Sequence, residues 1–362
     1  MPTKRNQISV RQLLYIYIII VLSPLIRLTP SYAATYGKQA AWLSAIVALF
    51  PTLVVIYILD CIFKRYKTES MTVIFEDIMS KPLGMLIVFL YFLWSTILVA
   101  LYMRYDVERL TGSIYPHINY NIFIIFTLAQ IAYILRTDLT VIARMSELIM
   151  PIIFILFTFL ILLLLPMIRH DTILPISYID TVPIIKASIG SSGIFLYYFL
   201  LFFLSDKLSH KDKLKKLSIK TIILLVASTT IMLVAVIGLM GSSVVQRAPI
   251  PFLVAVKQIS IMNTIQNIES VAVAMWLLAD FILITALIIV SLNIAKTLFN
   301  LKDIKPLQNI YILLIYILSL GISNSKMELE TFSQYIMIPT NHIFGLFIPI
   351  VLFATGKIRK KL

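Results

Sequence analysis

Apolar residues along this chain gather into long blocks instead of alternating with polar ones. Ten blocks can be drawn, over 10–28, 40–63, 83–103, 119–135, 148–168, 185–205, 218–241, 270–293, 308–323 and 340–356. Each has about 17–25 residues, the helical length that crosses about 30 Å of hydrocarbon. The pattern predicts an all-α integral membrane protein of about ten transmembrane helices, with no soluble domain. Two connections carry a short amphipathic pattern and are expected as surface helices, Ser70–Met79 and Thr331–Met337. Two blocks are interrupted by residues that disfavour a regular helix: the first at Ser23-Pro24, the sixth at Gly190-Ser191-Ser192-Gly193.

Composition agrees with this pattern. Of 362 residues, 60% are hydrophobic and 13% charged. A soluble domain averages about 45–50% and 25%. The net charge of +14 reads as a topology signal. With the N-terminus in the cytoplasm, about 22 Lys and Arg fall on the cytoplasmic side and about 9 outside. Both termini are then expected inside, with the basic block Lys207–Lys216 a cytoplasmic loop near lipid headgroups and not a nucleic-acid site. The basic start and Ser31-Tyr32-Ala33-Ala34 imitate a secretory signal, but Pro24, Arg27 and Pro30 suit cleavage poorly. The single Cys61 rules out an internal disulfide.

No enzyme signature is present. Walker A, GxGxxG and HExxH patterns are missing, and His117, His170, His210 and His342 have no metal-site spacing. Neither a cofactor nor a metal is expected, and transport, if any, would draw on ion gradients. What remains is polar chemistry inside apolar helices. Pro24 breaks the hydrogen-bond ladder and reads either as a structural kink or as a substrate-site break. Gly190, Ser191, Ser192 and Gly193 read either as close helix packing or as a second break. The two lie in helices one and six, at matching positions of a five-plus-five arrangement, which is the sequence mark of a transporter-type midplane site. Tyr91, Ser95 and Tyr102 share a face of helix three, and Glu269, Trp276 and Asp280 share one of helix eight. Asp280, an acid in mid-span, could hold an ammonium, a cation or a proton, or only an interior hydrogen bond. Trp276 could add a cation–π contact. Arg144 and Glu147, at i and i+3, are expected to pair structurally near the cytoplasmic face.

Several segments together resemble one family. They are Ile8-Ser9-Val10-Arg11-Gln12-Leu13, Pro30, Tyr36-Gly37-Lys38-Gln39-Ala40-Ala41-Trp42, the stretch from Asp138 through Ala143-Arg144 and Glu147 to Pro151, and Asn267-Ile268-Glu269-Ser270 with Ala274-Met275-Trp276 and Asp280-Phe281. The chain resembles, over nearly its whole length, the B subunit of bacterial spore germinant receptors, the spore germination permease family. That family is similar to amino acid–polyamine–organocation transporters. The resemblance implies a LeuT-like inverted repeat with broken helices one and six, the halves falling at 1–168 and 169–362. It also implies recognition of a small germinant, expected to be an amino acid, in the spore inner membrane beside A-type and C-type receptor subunits. The rival reading is an ion-coupled amino acid or polyamine permease. The sequence departs from the family where Asp138 replaces a usual Gly, where Asn267 replaces a usual basic residue, and where a Lys expected after the helix-eight aromatic is missing. The candidate substrate-binding set is Ser23, Pro24, Tyr91, Ser95, Gly190, Ser191, Ser192, Gly193, Trp276 and Asp280.

Overall fold

Helix one begins at a strong local signal. The Ser9 hydroxyl accepts from the Gln12 amide N–H while the Gln12 side chain accepts from the Ser9 N–H, closing a capping box. From there the chain stays helical over Val10–Gly37. A computed structural model describes residues 7–113, 119–209, 211–259, 268–323 and 325–362. Lys4, Arg5, His117, His210 and Asn267 lie outside the described residues.

Among the described residues ten helical segments cross the bundle. After helix one, a 3-10 turn at Lys38–Leu43 reverses the chain into helix two, Leu49–Arg65. Helix three is Lys81–Ser113, helix four Tyr120–Ile134 and helix five Leu139–Leu164. Helix six is Thr181–Phe195 with its continuation Tyr197–Lys207, and helix seven is Leu214–Met240. Helix eight is Glu269–Leu298, helix nine Lys305–Gly321 and helix ten Lys326–Ile358. The stretch Val10–Arg65 has 56 residues, about twice what one crossing needs, so it accounts for two.

Both ends of the described chain lie on one face. Ile8–Ser9 pairs in parallel with Leu208–Ser209 as a two-stranded ladder. Ser205 Oγ donates to the Glu69 carbonyl, and Lys361 Nζ meets Asp77 Oδ1 at 2.5 Å. Tyr66 donates its hydroxyl to the same Asp77. Large apolar side chains on helices four and five, such as Phe126, Ile155 and Leu162, are exposed, as a lipid-facing surface requires. Helix six is buried throughout from Gly190 to Ser205, and helix eight over most of its length. Helices one, three, six and eight therefore form the middle of the bundle.

Four expectations need correction. Helix three runs about ten residues past its expected end at 103, because Arg104, Asp106 and Arg109 are buried inside the bundle instead of marking the water boundary. Thr331–Met337 is no surface helix. It belongs to helix ten, where two π-turns, Ser333–Met337 and Ile343–Phe347, flank Ile338–His342. Met71–Met79 does form the expected short helix, capped by Ser70, but Ile74, Phe75 and Ile78 are fully buried against helix three. Finally, Glu147 accepts from Gln12 Nε2 at 3.0 Å and makes no ion pair with Arg144, so the helix-one start captures the carboxylate.

Candidate functional site

The two interruptions differ in kind, and only the second has moved from where residue type placed it. Helix one carries its interruption as missing bonds within a continuous helical course. Pro24 and Pro30 have no N–H, so the carbonyls of Ile20 and Ile26 lose their helical donors. Helix six stays regular through Gly190–Gly193 and breaks at Leu196, where it changes to a short turn and then a 3-10 course. The glycines serve close approach. A Cβ on Gly190 would lie 2.5 Å from the Tyr32 ring, and one on Gly193 would lie 3.1 Å from the His342 ring.

A buried charged cluster joins helices one, three and eight. Ser23 Oγ donates to Asp280 Oδ1. Arg109 Nη2 reaches Asp280 Oδ2 at 2.6 Å, and the buried Asp106 carboxyl lies within electrostatic reach of both. The Arg109 guanidinium lies 5.0 Å from the Trp276 ring centroid. Helical spacing assembles this set. Tyr102, Asp106 and Arg109 are i, i+4 and i+7 on helix three, and Trp276 and Asp280 are i and i+4 on helix eight. Asp280 is 2% exposed and lies about 16 Å along its helix from Glu269. Several buried atoms of the cluster have no hydrogen-bond partner: Arg109 Nε and Nη1, Asp106 Oδ1 and Trp276 Nε1. Arg27, one turn beyond Ser23, adds an unpartnered Nη2 and stacks over the Tyr105 ring.

A second, neutral cluster joins helices three, six and ten. Trp94 Nε1 donates to Asn341 Oδ1 at 3.1 Å, and Asn341 Nδ2 donates to the Tyr197 hydroxyl at 3.1 Å. Tyr197 and Tyr102 share a 2.7 Å hydroxyl bond. His342 Nδ1 faces the Ile338 carbonyl at 2.8 Å and must donate to it, which leaves Nε2 to accept from Ser192 Oγ at 2.8 Å. Tyr197 follows the break in helix six. Asn341 and His342 sit between the two π-turns of helix ten, an irregularity often found at functional positions.

The ten candidate residues therefore separate. Ser23, Trp276 and Asp280 converge on Arg109, with Pro24 beside them. Gly190 and Gly193 pack against Tyr32 and His342, Ser192 bonds His342, and the buried Ser191 Oγ has no partner. Tyr91 and Ser95 lie about 16 Å or more from Asp106 along helix three. Tyr91 donates to the Phe344 carbonyl at 2.6 Å, and Ser95 accepts from Ser291 at 2.8 Å. Sequence reasoning passed over Arg27, Asp106, Arg109, Asn341 and His342. The signal for the helix-three pair was present, since Tyr102, Asp106 and Arg109 extend one face past the assumed membrane edge. Asn341-His342 inside an apolar block was a similar signal. Two small clefts approach the charged cluster. One of about 130 Å³ lies beside Arg109, with Glu108, Lys257 and Lys326 on its wall. Another of about 250 Å³ lies beside Asp106, with Thr127 and Gln130. Among the described residues no three of His, Cys, Asp or Glu converge as a metal site.

Comparison with known proteins gives three findings. The sequence matches the family described as "Spore germination protein" over residues 7–327. Among curated proteins none matches the sequence. The fold is similar to that of a nucleobase-cation-symport-1 family transporter solved in a closed conformation with bromovinylhydantoin bound, with TM-score 0.67 and 13% identity over 96% of this chain and 78% of that one. It is also similar to the manganese transporter of Eremococcus coleocola, in a variant form with TM-score 0.57 and 14% identity over 94% of this chain and 78% of that one. Both are LeuT-fold transporters, so the ten-helix LeuT-like architecture stands, and these neighbours are transporters and not enzymes.

Proposed function

Because this multi-pass membrane chain belongs to the spore germination protein family, we propose that it is the membrane subunit of a nutrient germinant receptor that recognises a small germinant, expected to be an amino acid. The recognition site is the buried polar region between helices one, three, six, eight and ten. The observation that supports it is the set of unpartnered buried atoms there, which a ligand would satisfy: Arg27 Nη2, Arg109 Nε, Asp106 Oδ1 and Trp276 Nε1. Leaving such groups unpaired costs about 1–3 kcal/mol each. In this reading the protein lies in the spore inner membrane with both termini cytoplasmic, as the Lys and Arg bias favours, and acts through A-type and C-type subunits. Helices one to five and six to ten, 1–168 and 169–362, are its two inverted halves.

The rival is an ion-coupled permease. Asp280 speaks against a cation site at the mid-span acid, since Ser23 and Arg109 already occupy its two oxygens. Reconstitution decides between the two. Protein in sealed vesicles, offered a panel of radiolabelled amino acids, should bind one saturably without accumulating it. Accumulation driven by a proton or sodium gradient makes the chain a permease. Neither binding nor uptake by any member overturns recognition by this subunit.

A further inference from the structure

Among the described residues three arginines are buried, and they are not equivalent. Arg104 meets Glu108 at 3.0 Å and Arg109 meets Asp280 at 2.6 Å. Arg27 is 8% exposed and has no ion pair among the described residues. The undescribed segments contain no Asp or Glu that could supply one. A buried arginine retained in a membrane bundle ordinarily faces a counter-charge.

We propose that Arg27 is the anchor for a carboxylate, so that the ligand of this bundle enters as a carboxylic acid anion held between helices one, three and ten. The proposal rests on the recognition reading above and names the chemical class of ligand and its principal contact.

The surroundings fit such a guest. The Tyr105 ring covers one face of the guanidinium, and Nη2 is buried without a partner, a donor that a carboxylate would take up. Tyr105 is itself held by its hydroxyl bond to the Leu329 carbonyl at 3.0 Å, so the arginine is stacked on a fixed platform. The Tyr102 and Tyr197 hydroxyls lie within electrostatic reach of Arg27 and give the site polar walls. Pro24 and Pro30 bracket Arg27, and the carbonyls of Ile20 and Ile26 that they leave unbonded add acceptors for a ligand's donor groups. The nearest internal competitor is Glu330, half-buried at the start of helix ten. It feels the Arg27 charge but forms no ion pair with it. An unneutralised guanidinium also repels amines without an acid group, which disfavours a polyamine ligand.

The test uses purified full-length protein in nanodiscs and thermal unfolding at constant ionic strength. Probes are acetate, propionate and butyrate against acetamide, propionamide and butyramide, which match them in shape. Carboxylates should raise the melting temperature in a concentration-dependent way, as a ligand specific to the folded state must, and the amides should not. Arg27→Lys should keep the charge but weaken the apparent affinity about tenfold or more, since the planar fork is lost. Arg27→Gln should abolish the carboxylate effect. Glu330→Gln should leave it intact. Equal shifts with acids and amides, no shift with any acid, or an undiminished shift in both Arg27 variants would each overturn the proposal. Loss of the effect in Glu330→Gln would assign the counter-charge chemistry to that residue and overturn it too. The receptor reading fails separately: carboxylates would still bind, but spores lacking the gene would germinate normally with every nutrient tested.

Discussion

Asp280→Asn changes the charge at the centre of the bundle with almost no change of shape. In the native protein the Asp280 carboxylate faces Arg109 at 2.6 Å and accepts from Ser23. At an effective dielectric constant of about 20, two charges at that distance attract by about 6 kcal/mol. Much of that is offset by the cost of removing both ions from water. The asparagine keeps the Ser23 bond through its amide oxygen but takes from the buried Arg109 guanidinium its ion-pair partner, leaving only the Asp106 carboxyl nearby. Breaking a buried pair from one side destabilises by about 3–5 kcal/mol. The second substitution is Arg109→Gln, which removes the stranded charge. Asp280→Asn with Arg109→Gln should regain at least about 1 kcal/mol over Asp280→Asn alone, the coupling expected of residues in one network. Equilibrium unfolding in mixed micelles, followed by tryptophan fluorescence and checked by size exclusion, measures both. If Asp280→Asn is as stable as the native protein, or if the double variant is no more stable than the single, the ion pair is not what holds helix three to helix eight at this depth.

Two other outcomes follow from the geometry. Gly190→Ala should destabilise by about 1–3 kcal/mol because its Cβ meets the Tyr32 ring at 2.5 Å, whereas Gly112→Ala, with no neighbour within 4 Å, should not; thermal unfolding of the pair checks this. Lys361 and the Tyr66 hydroxyl hold the Asp77 carboxyl below its ordinary pKa, so the stability it adds is present above pH about 4 and is lost as pH falls through the lowered value. The stability difference between the native protein and Asp77→Asn should therefore be flat from about pH 5 to 8 and close below about pH 4.

Hydropathy carried the fold because a bilayer imposes one rule on length and another on backbone bonding, and both act along the sequence. Ten blocks of crossing length suffice to define ten helices. The same rule misplaced the end of helix three. Hydropathy treats Arg104, Asp106 and Arg109 as a boundary with water, and it has no means of seeing that Asp280, 171 positions on from Arg109, neutralises one of them. Hydropathy missed the start of helix ten for a related reason: Lys326, Glu328, Glu330 and Ser333 lower its apolar score. Asn341 and His342, inside the apolar block itself, find their partners Trp94, Tyr197 and Ser192 on two other helices. The glycines of helix six were legible as small residues. Whether smallness served a break or a close approach depended on Tyr32 and His342, which only the folded chain brings near.

The two-residue ladder between Ile8–Ser9 and Leu208–Ser209 behaves as a latch. It fastens the entry of helix one to the exit of helix six on the face that carries the termini. Any widening there must first unzip those paired strands and release the Ser209 hydroxyl from the Ile8 carbonyl. Each such bond is worth about 1 kcal/mol net. The two central helices are thereby tied to each other at that end, so a displacement of one there carries the flanking segment of the other with it.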